Sequence, residues 1–183
     1  MNIGVIGLGK LGCSMFAAFS SSRNNVVGYD ISKETRDKLR EKIEPVSETN
    51  LQNEINKGFE YYKIVDNALE VVEQSEVIYI IVPTPSLENG IFDTKFLEDV
   101  IASIYQVKSS CINKLLVITS TVLPGDTRKK LITRIRDQNG EISKIKFCYS
   151  PEFIALGSVL NDLRNPDFLL VGEDTPNSSE NHI

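Results

Sequence analysis

The sequence of 183 residues contains no tryptophan, one histidine and three cysteines, and it has no long apolar run. The histidine, His182, lies in a polar stretch where a catalytic base or a metal ligand would be poorly fixed. Chemistry built on histidine, such as zinc hydrolysis or a Ser-His-Asp triad, is therefore not expected, and we predict no metal site. The longest apolar runs, residues 77–82 and 115–118, are far shorter than the ~20 residues of a membrane span, so no membrane partner is expected.

Basic residues are fewer than acidic ones. The chain has 20 Lys and Arg against 25 Asp and Glu, a formal net charge of −5. No basic face could neutralise a row of phosphates, so nucleic acid is not an expected partner. Cys13, Cys111 and Cys148 are too far apart for a CxxC motif, and their odd number does not fit a paired disulfide framework. The first seven residues, MNIGVIG, lack the basic segment of a signal peptide, and we predict a cytoplasmic protein.

Short aliphatic runs alternate with longer amphipathic segments, which is the pattern of βαβ units. Because the central runs are apolar almost throughout, they predict an α/β fold: a Rossmann-like, doubly wound and mostly parallel sheet with helices on both faces. The predicted strands are residues 2–6, 26–29, 62–65, 77–82, 115–119, 146–149 and 168–171. The predicted helices are residues 11–21, 32–42, a short one around 51–56, one with Phe96, Leu97, Val100, Ile101 and Ile104 at helical spacing, and one from 127 to about 137.

The first predicted strand runs into a glycine-rich turn. Its pattern, G-x-G-x-x-G, is weak by itself, but here it follows a predicted strand and opens a predicted helix. The three glycines have distinct physical roles, since Gly7 permits the tight turn, Gly9 lets the backbone approach a pyrophosphate, and Gly12 lets the helix pack closely on the strand. The positive end of the helix dipole then faces the pyrophosphate. We therefore predict cofactor binding by Gly7, Gly9, Lys10, Leu11 and Gly12.

Asp30 ends the second predicted strand, 18 positions after Gly12. Its carboxylate would accept hydrogen bonds from the adenosine ribose hydroxyls and would repel a 2′-phosphate, which favours NAD over NADP as the cofactor. Lys33 and Arg36 follow closely and leave NADP as an alternative. The purely structural alternative is that the glycines form only a tight turn and that Asp30 caps the next helix.

Three later strands end in loops that carry polar groups. Thr84 lies between two prolines in VPTP, Ser120 and Thr121 begin STVLPG, and Glu152 lies in SPEF. Ligands bind beyond the carboxyl ends of the strands in an open parallel sheet, so these loops should converge on one edge. Each loop can also be explained without a ligand. Prolines are common in turns, Ser and Thr often cap helices, and a glutamate beside proline is most often exposed.

With these motifs the sequence resembles the N-terminal NAD-binding domain of the UDP-glucose/GDP-mannose dehydrogenase family. The resemblance extends over nearly the whole chain, through GLGKLG, VVGYD, VPTP, STVLPG and SPEF in that order. It implies an NAD-dependent oxidoreductase acting on CH–OH donors, which oxidises the primary alcohol of a UDP- or GDP-sugar to a carboxylate with two NAD, through an aldehyde or thiohemiacetal. It also implies polysaccharide biosynthesis and a homodimeric full-length protein.

The resemblance assigns roles residue by residue. Thr84, Ser120 and Thr121 would line the cofactor, with Thr121 also positioning a water near the reacting carbon. Glu152 would be a general acid/base or a water-orienting carboxylate, which suits a reaction that releases a proton and activates water. The residues bordering the sugar nucleotide would be Glu152, Phe153 and Ile154.

Two departures from the family pattern matter. Family members usually carry an acidic residue four positions after the glutamate of SPEF, and this sequence has Leu156 there, which leaves one nicotinamide or substrate contact open. The family's nucleophilic cysteine lies in a later, glycine-rich segment that this sequence does not contain. Cys13 lies beside the glycine turn, where a helix N-terminus can lower a thiol pKa, but packing is the favoured role.

We therefore expect an NAD-binding domain over residues 1–172 and a polar tail over residues 173–183, before the missing central and C-terminal parts of the family. Such a chain would bind NAD without turnover. The alternatives are a free-standing NAD-binding regulatory or redox-sensing module, and a hydroxyacid dehydrogenase of the 6-phosphogluconate type, in which VPTP and SPEF are not expected. The sequence does not specify the sugar nucleotide.

Overall fold

The chain folds around a seven-stranded sheet. The computed structural model describes residues 1–106, 113–132, 145–155 and 157–176. The strands are β1 (Asn2–Ile6), β2 (Asn25–Tyr29), β3 (Tyr62–Ile64), β4 (Val77–Ile80), β5 (Leu115–Ile118), β6 (Lys146–Tyr149) and β7 (Gly172–Glu173). Their order is β3-β2-β1-β4-β5-β6-β7, and all neighbours are parallel except β6 and β7. The chain changes direction across the sheet between β1 and β4, so the predicted doubly wound fold is confirmed.

Helices cover both faces of this sheet. In the described ranges they are α1 (Lys10–Ser21), α2 (Lys33–Arg40), α3 (Leu51–Gly58), α4 (Ala68–Gln74), α5 (Lys95–Gln106) and α6 (Val159–Arg164), with a 3₁₀ turn at Phe59–Tyr61 and a π-helical segment at Thr127–Ile132. None of these helices is long and apolar enough to cross a bilayer.

The core consists of two apolar clusters, one on each face of the sheet. Phe16, Leu51 and Leu160 represent the cluster under α1, α3 and α6. Val72 and Leu97 represent the cluster under α4 and α5. Strands β4 and β5 are buried along their whole length, as expected for parallel strands covered on both sides. Helices therefore pack on both faces of the sheet, and the loops that follow the strands lie at the edge formed by their carboxyl ends.

Local sequence explains where several elements begin. Ser32 caps α2, and its side chain accepts a hydrogen bond from the Thr35 amide at 3.3 Å. Asn67 caps α4 in the same way, accepting from the Glu70 amide at 3.0 Å. The Asn-x-x-Glu pattern of α4 is visible in the sequence, although the predicted helices include neither α4 nor α6.

One predicted strand is wrong. Residues 168–171 do not join the sheet; the last strand is Gly172–Glu173, which pairs antiparallel with β6. Phe168 and Leu169 are both 57% exposed, because an apolar run forms a strand only where a partner edge lies alongside it. Glu173, predicted to begin the polar tail, belongs to the sheet.

Other predicted boundaries shift slightly. Strands β4 and β5 end at Ile80 and Ile118, two residues and one residue earlier than predicted. The predicted helix from residue 127 is π-helical over Thr127–Ile132, and its remainder lies outside the described residues. These shifts leave the loops after β4 and β5 longer than the sequence indicates.

A buried carboxylate links helix α3 to helix α6. Glu54, in α3, is ion-paired with Arg164 of α6 and with Lys57, whose Nζ lies 2.9 Å from Oε1. Burial alone would raise the pKa of Glu54, but hydrogen bonds from Ser21, Lys57 and Arg164 outweigh it and lower the pKa to about 2. The ion pair between Glu54 and Arg164 holds α6 against α1 and α3.

We expect Glu54→Gln to lower the free energy of unfolding by about 2 kcal/mol at neutral pH, because charge-assisted hydrogen bonds are replaced by neutral ones. Since folding lowers the pKa of Glu54, this contribution is full above the unfolded-state pKa, about 4.3, and is lost as the pH falls towards 2. Urea unfolding of both proteins across this range measures the difference. A difference that is independent of pH would contradict the ion-pair role.

Candidate cofactor site

The glycine turn lies at the carboxyl end of β1, in the middle of the sheet. Gly7 has φ +94°, and its amide donates to the Tyr29 carbonyl at the end of β2 over 2.8 Å. A Cβ on Gly7 would lie 2.1 Å from the Ile81 carbonyl oxygen, so no side chain fits at this position. The turn is therefore enclosed between the ends of β2 and β4.

Gly12 and Gly9 have opposite surroundings. A Cβ on Gly12 would lie 1.9 Å from the Gly7 carbonyl oxygen, so α1 packs directly on the turn. Nothing lies within 4 Å of the corresponding position on Gly9, which is the N-cap of α1 and offers no side-chain hydrogen bond to the helix. The first turn of the helix, with exposed Lys10 and half-buried Leu11, thus borders an open cradle at the positive end of the helix dipole.

Asp30 lies beside this cradle, directly after β2. Its Oδ2 accepts the Leu8 amide at 2.7 Å and its Oδ1 accepts the Ser32 amide at 2.8 Å. These two backbone donors hold the carboxylate against the glycine turn, and each oxygen keeps a further acceptor site. Ser32, not Asp30, caps α2, so the alternative in which Asp30 caps that helix is wrong.

The two cations that left NADP as an alternative are engaged elsewhere. The Arg36 guanidinium donates to the backbone carbonyls of Asp30 (2.7 Å) and Ile31 (3.2 Å). It also pairs with Asp66 at 3.3 Å, and its side chain is only 12% exposed. Lys33 pairs with Asp37 at 2.5 Å. No ion pair joins the Asp30 carboxylate to a lysine or an arginine within the described ranges.

Polar side chains also follow β4 and β5, as predicted. Thr84 is half-buried and Thr121 is exposed at this edge. Ser120 is buried, and its hydroxyl bonds to both backbone groups of Val82. Thr119, which no sequence motif singles out, also has a buried hydroxyl, and that hydroxyl has no hydrogen-bond partner among the described residues. In the sequence, the only indication of this buried hydroxyl is a threonine at the end of an apolar strand.

Glu152 follows β6 and is half-buried, in contrast to the exposed position expected of a glutamate beside proline. Burial raises the pKa of its carboxyl. The neighbouring Phe153 is 57% exposed and packs its ring on Phe168, 4.7 Å between centroids, while Ile154 is half-buried. Leu156, the departure from the family pattern, lies outside the described residues.

Glu48 is a second residue that the sequence motifs do not reveal. It is 8% exposed, and its Oε2 accepts the Gly157 amide at 3.0 Å, which connects the segment before α3 to the loop after Glu152. Its Oε1 also accepts the Thr49 amide at 3.2 Å, but a contact with an amide 109 residues away leaves no pattern in the sequence.

The described cysteines are buried. Burial raises the pKa of the Cys13 and Cys148 thiols to about 12, and the charges of Glu44 and Asp30 add to the shift at Cys13. Neither thiol forms a thiolate near neutral pH, so the helix N-terminus does not make Cys13 a nucleophile. Cys111 lies outside the described residues.

A glycine turn after β1, an acid at the end of β2 and the reversal of strand order between β1 and β4 together define a dinucleotide-binding domain. The chain belongs to the UDP-glucose/GDP-mannose dehydrogenase family, because the model of that family's NAD binding domain matches residues 1–183.

Curated relatives include dehydrogenases of two sugar nucleotides. GDP-mannose 6-dehydrogenase of Pseudomonas savastanoi pv. phaseolicola is 28% identical over 178 residues, which cover 94% of this chain and 41% of that protein. UDP-glucose 6-dehydrogenase of Rickettsia felis is 31% identical over 187 residues, with coverage of 98% and 39%. The chain spans about two fifths of the length of these relatives.

Solved structures show the same fold. The ternary complex of GDP-mannose dehydrogenase from Pseudomonas aeruginosa superposes with a TM-score of 0.92 at 26% identity, over 98% of this chain and 42% of that chain. UDP-glucose dehydrogenase from Pyrobaculum islandicum gives 0.89 at 25% identity, with the same coverages. The predicted fold and the predicted family are confirmed.

The glycine turn yields a matched pair of variants. Gly12→Ala should lower the free energy of unfolding by about 1–3 kcal/mol, because its Cβ must displace the Gly7 carbonyl. Gly9→Ala should change it by less than about 0.5 kcal/mol, since Gly9 has φ −68° and open space where its Cβ would lie. Urea denaturation of the two variants measures both values. Equal destabilisation would show that the turn is not packed as described.

Proposed function

We propose that this chain is the NAD-binding part of a nucleotide-sugar 6-dehydrogenase, a UDP-glucose 6-dehydrogenase-like enzyme. The observation that carries the proposal is the open cradle at Gly9, bordered by the uncapped start of α1 and by the Asp30 carboxylate. Membership of the family and the names of the relatives support the enzyme class.

In this proposal the cofactor lies across the carboxyl edge of the sheet. Gly9, Lys10 and Leu11 border its pyrophosphate, because the amide groups of the first helical turn favour an anion. Gly7 and Gly12 keep the turn close enough to β1 for this contact.

Asp30 holds the adenosine ribose and selects NAD. Each of its carboxylate oxygens already accepts one backbone amide, so the group is oriented and keeps acceptor sites for hydroxyl donors. A 2′-phosphate would meet this negative charge without a compensating cation, since Arg36 is bonded to backbone carbonyls and Asp66.

Thr84 and Thr121 line the nicotinamide half of the cleft, and Glu152 serves as the acid or base there. Bound NAD would supply the hydride acceptor that oxidation of an alcohol needs. Because burial raises the pKa of Glu152, its carboxyl exchanges a proton closer to neutral pH than an exposed glutamate does. The exposed Thr121 hydroxyl is available to hold a water, and Phe153 and Ile154 border the sugar nucleotide.

The substrate is a UDP- or GDP-sugar, since relatives named for either sugar nucleotide match this chain. Oxidation to the carboxylate also needs a cysteine nucleophile and a pocket for the nucleobase of the sugar nucleotide. The buried thiols of Cys13 and Cys148 do not supply that nucleophile. Homodimerisation of the full-length protein, a cytoplasmic location and a role in polysaccharide biosynthesis stay predictions of the sequence.

Calorimetric titration with NAD and NADP tests the cofactor assignment. We expect NAD to bind at least about tenfold more tightly, equivalent to ~1.4 kcal/mol, because Asp30 repels the 2′-phosphate. NAD at about 100 times its Kd should also stabilise the fold by ~2.7 kcal/mol. Gly9→Ala is the matched control: it should fold normally and lose NAD affinity, since its Cβ occupies the cradle. Equal affinity for both cofactors, or none for either, would refute the proposal.

A second experiment tests whether the isolated chain can oxidise a sugar nucleotide by itself. The isolated chain, mixed with NAD and UDP-glucose, a UDP-N-acetyl sugar or GDP-mannose, should not sustain NADH formation, because the described cysteines offer no reactive thiolate to carry an aldehyde on to the carboxylate. The absorbance of NADH measures this directly. Sustained NADH formation would show that the chain is a complete catalyst by itself.

A further inference from the structure

Ser120 connects two neighbouring loops at the carboxyl edge of the sheet. It lies just after β5 and is 5% exposed. Its hydroxyl oxygen accepts a hydrogen bond from the Val82 amide at 2.9 Å and donates to the Val82 carbonyl at 2.8 Å. One side chain therefore satisfies both backbone groups of a single residue on the neighbouring loop, 38 positions away in sequence.

This contact fixes the chain that leads to Thr84. Val82 is followed by Pro83, whose ring restricts its own φ, and Pro85 restricts the backbone of Thr84 in turn. With the amide and the carbonyl of Val82 both bonded, few rotations remain between the end of β4 and Thr84. The backbone that leads to Thr84 is thus held at Ser120.

The same contact supports the glycine turn. Ile81, immediately before Val82, donates its amide to the Ile6 carbonyl at 2.8 Å. The Ile81 carbonyl oxygen forms the wall against Gly7, 2.1 Å from where a Cβ would lie, and Val82 Cγ1 lies 3.4 Å from that point. The segment held by Ser120 is therefore the surface on which the turn rests.

We propose that Ser120 is a positioning residue for the cofactor site: its hydroxyl clamps Val82, and through Val82 it sets Thr84 and the wall behind Gly7. This role differs from the direct cofactor contact that the family resemblance implies for Ser120. The inference rests on the proposed NAD binding, but the clamp itself is a property of the ligand-free chain.

The clamp is tested first without cofactor, by amide NMR and hydrogen exchange. In the wild-type protein the Val82 amide should be protected from exchange. In Ser120→Ala this protection should fall at least about tenfold, because the acceptor is gone, and the amide resonances of Val82 and Thr84 should shift. Ser120→Thr keeps the hydroxyl and should restore both. An unprotected wild-type Val82 amide would overturn the proposal even if Ser120→Ala failed to fold.

The functional consequence is measured as the Kd for NAD at a temperature where every variant is folded. Ser120→Ala should weaken NAD binding at least about fivefold, and Ser120→Thr should recover most of the affinity. Ser20→Ala is the matched control: Ser20 is also a buried serine whose hydroxyl donates to a backbone carbonyl, that of Ala17, 3.1 Å away, but it lies at the far end of α1. That variant should lose stability and keep the wild-type Kd.

The outcomes separate the possible roles. A weaker Kd in Ser120→Ala with unchanged Val82 and Thr84 resonances in the free protein would indicate direct contact with the cofactor and overturn the positioning role. An unchanged Kd with lower stability, as in Ser20→Ala, would reduce Ser120 to a structural residue. Absence of NAD binding by the wild-type chain would refute the proposed function instead, and the exchange data would still decide whether the clamp exists.

Discussion

The site depends on one close contact, the approach of α1 to the end of β1. Gly12 lies on the Gly7 carbonyl and Gly7 lies on the Ile81 carbonyl, at distances where a Cβ would be only 1.9 and 2.1 Å from an oxygen. Because both contacts exclude a side chain, the helix begins directly at the edge of the sheet. Its first amide groups then lie at the reversal of strand order, where an open parallel sheet has room for a ligand.

Around this contact, side chains hold the backbone in place rather than projecting freely into the cleft. Asp30 accepts the amides of Leu8 and Ser32, Arg36 binds the carbonyl of Asp30, and Ser120 holds Val82. A cofactor that binds such a site meets groups that are already oriented, which lowers the entropic cost of binding. The same arrangement favours NAD in the proposed function, since the half-buried Arg36 guanidinium is bonded to backbone carbonyls and to Asp66.

The domain contains part of the chemistry that its family suggests. Glu152 is buried enough to have a raised pKa, whereas the described thiols are buried so well that they stay protonated. Burial thus has opposite consequences for the two kinds of group: it brings the pKa of a carboxyl closer to neutral and takes that of a thiol further away. In the proposed function Glu152 exchanges the proton on this chain, and the described thiols do not supply a nucleophile.

The sequence alone determined the sheet, the glycine turn and the acid after β2, because apolar runs, caps and glycine spacing act within a few residues of one another. It was wrong about residues 168–171, where an apolar run has no strand to pair with, and it could not find Glu48. It named Ser120 but not the partner of its hydroxyl. Those features depend on which strand ends lie side by side, so only the tertiary structure decided that Arg36 pairs with Asp66 and that Ser120 clamps Val82.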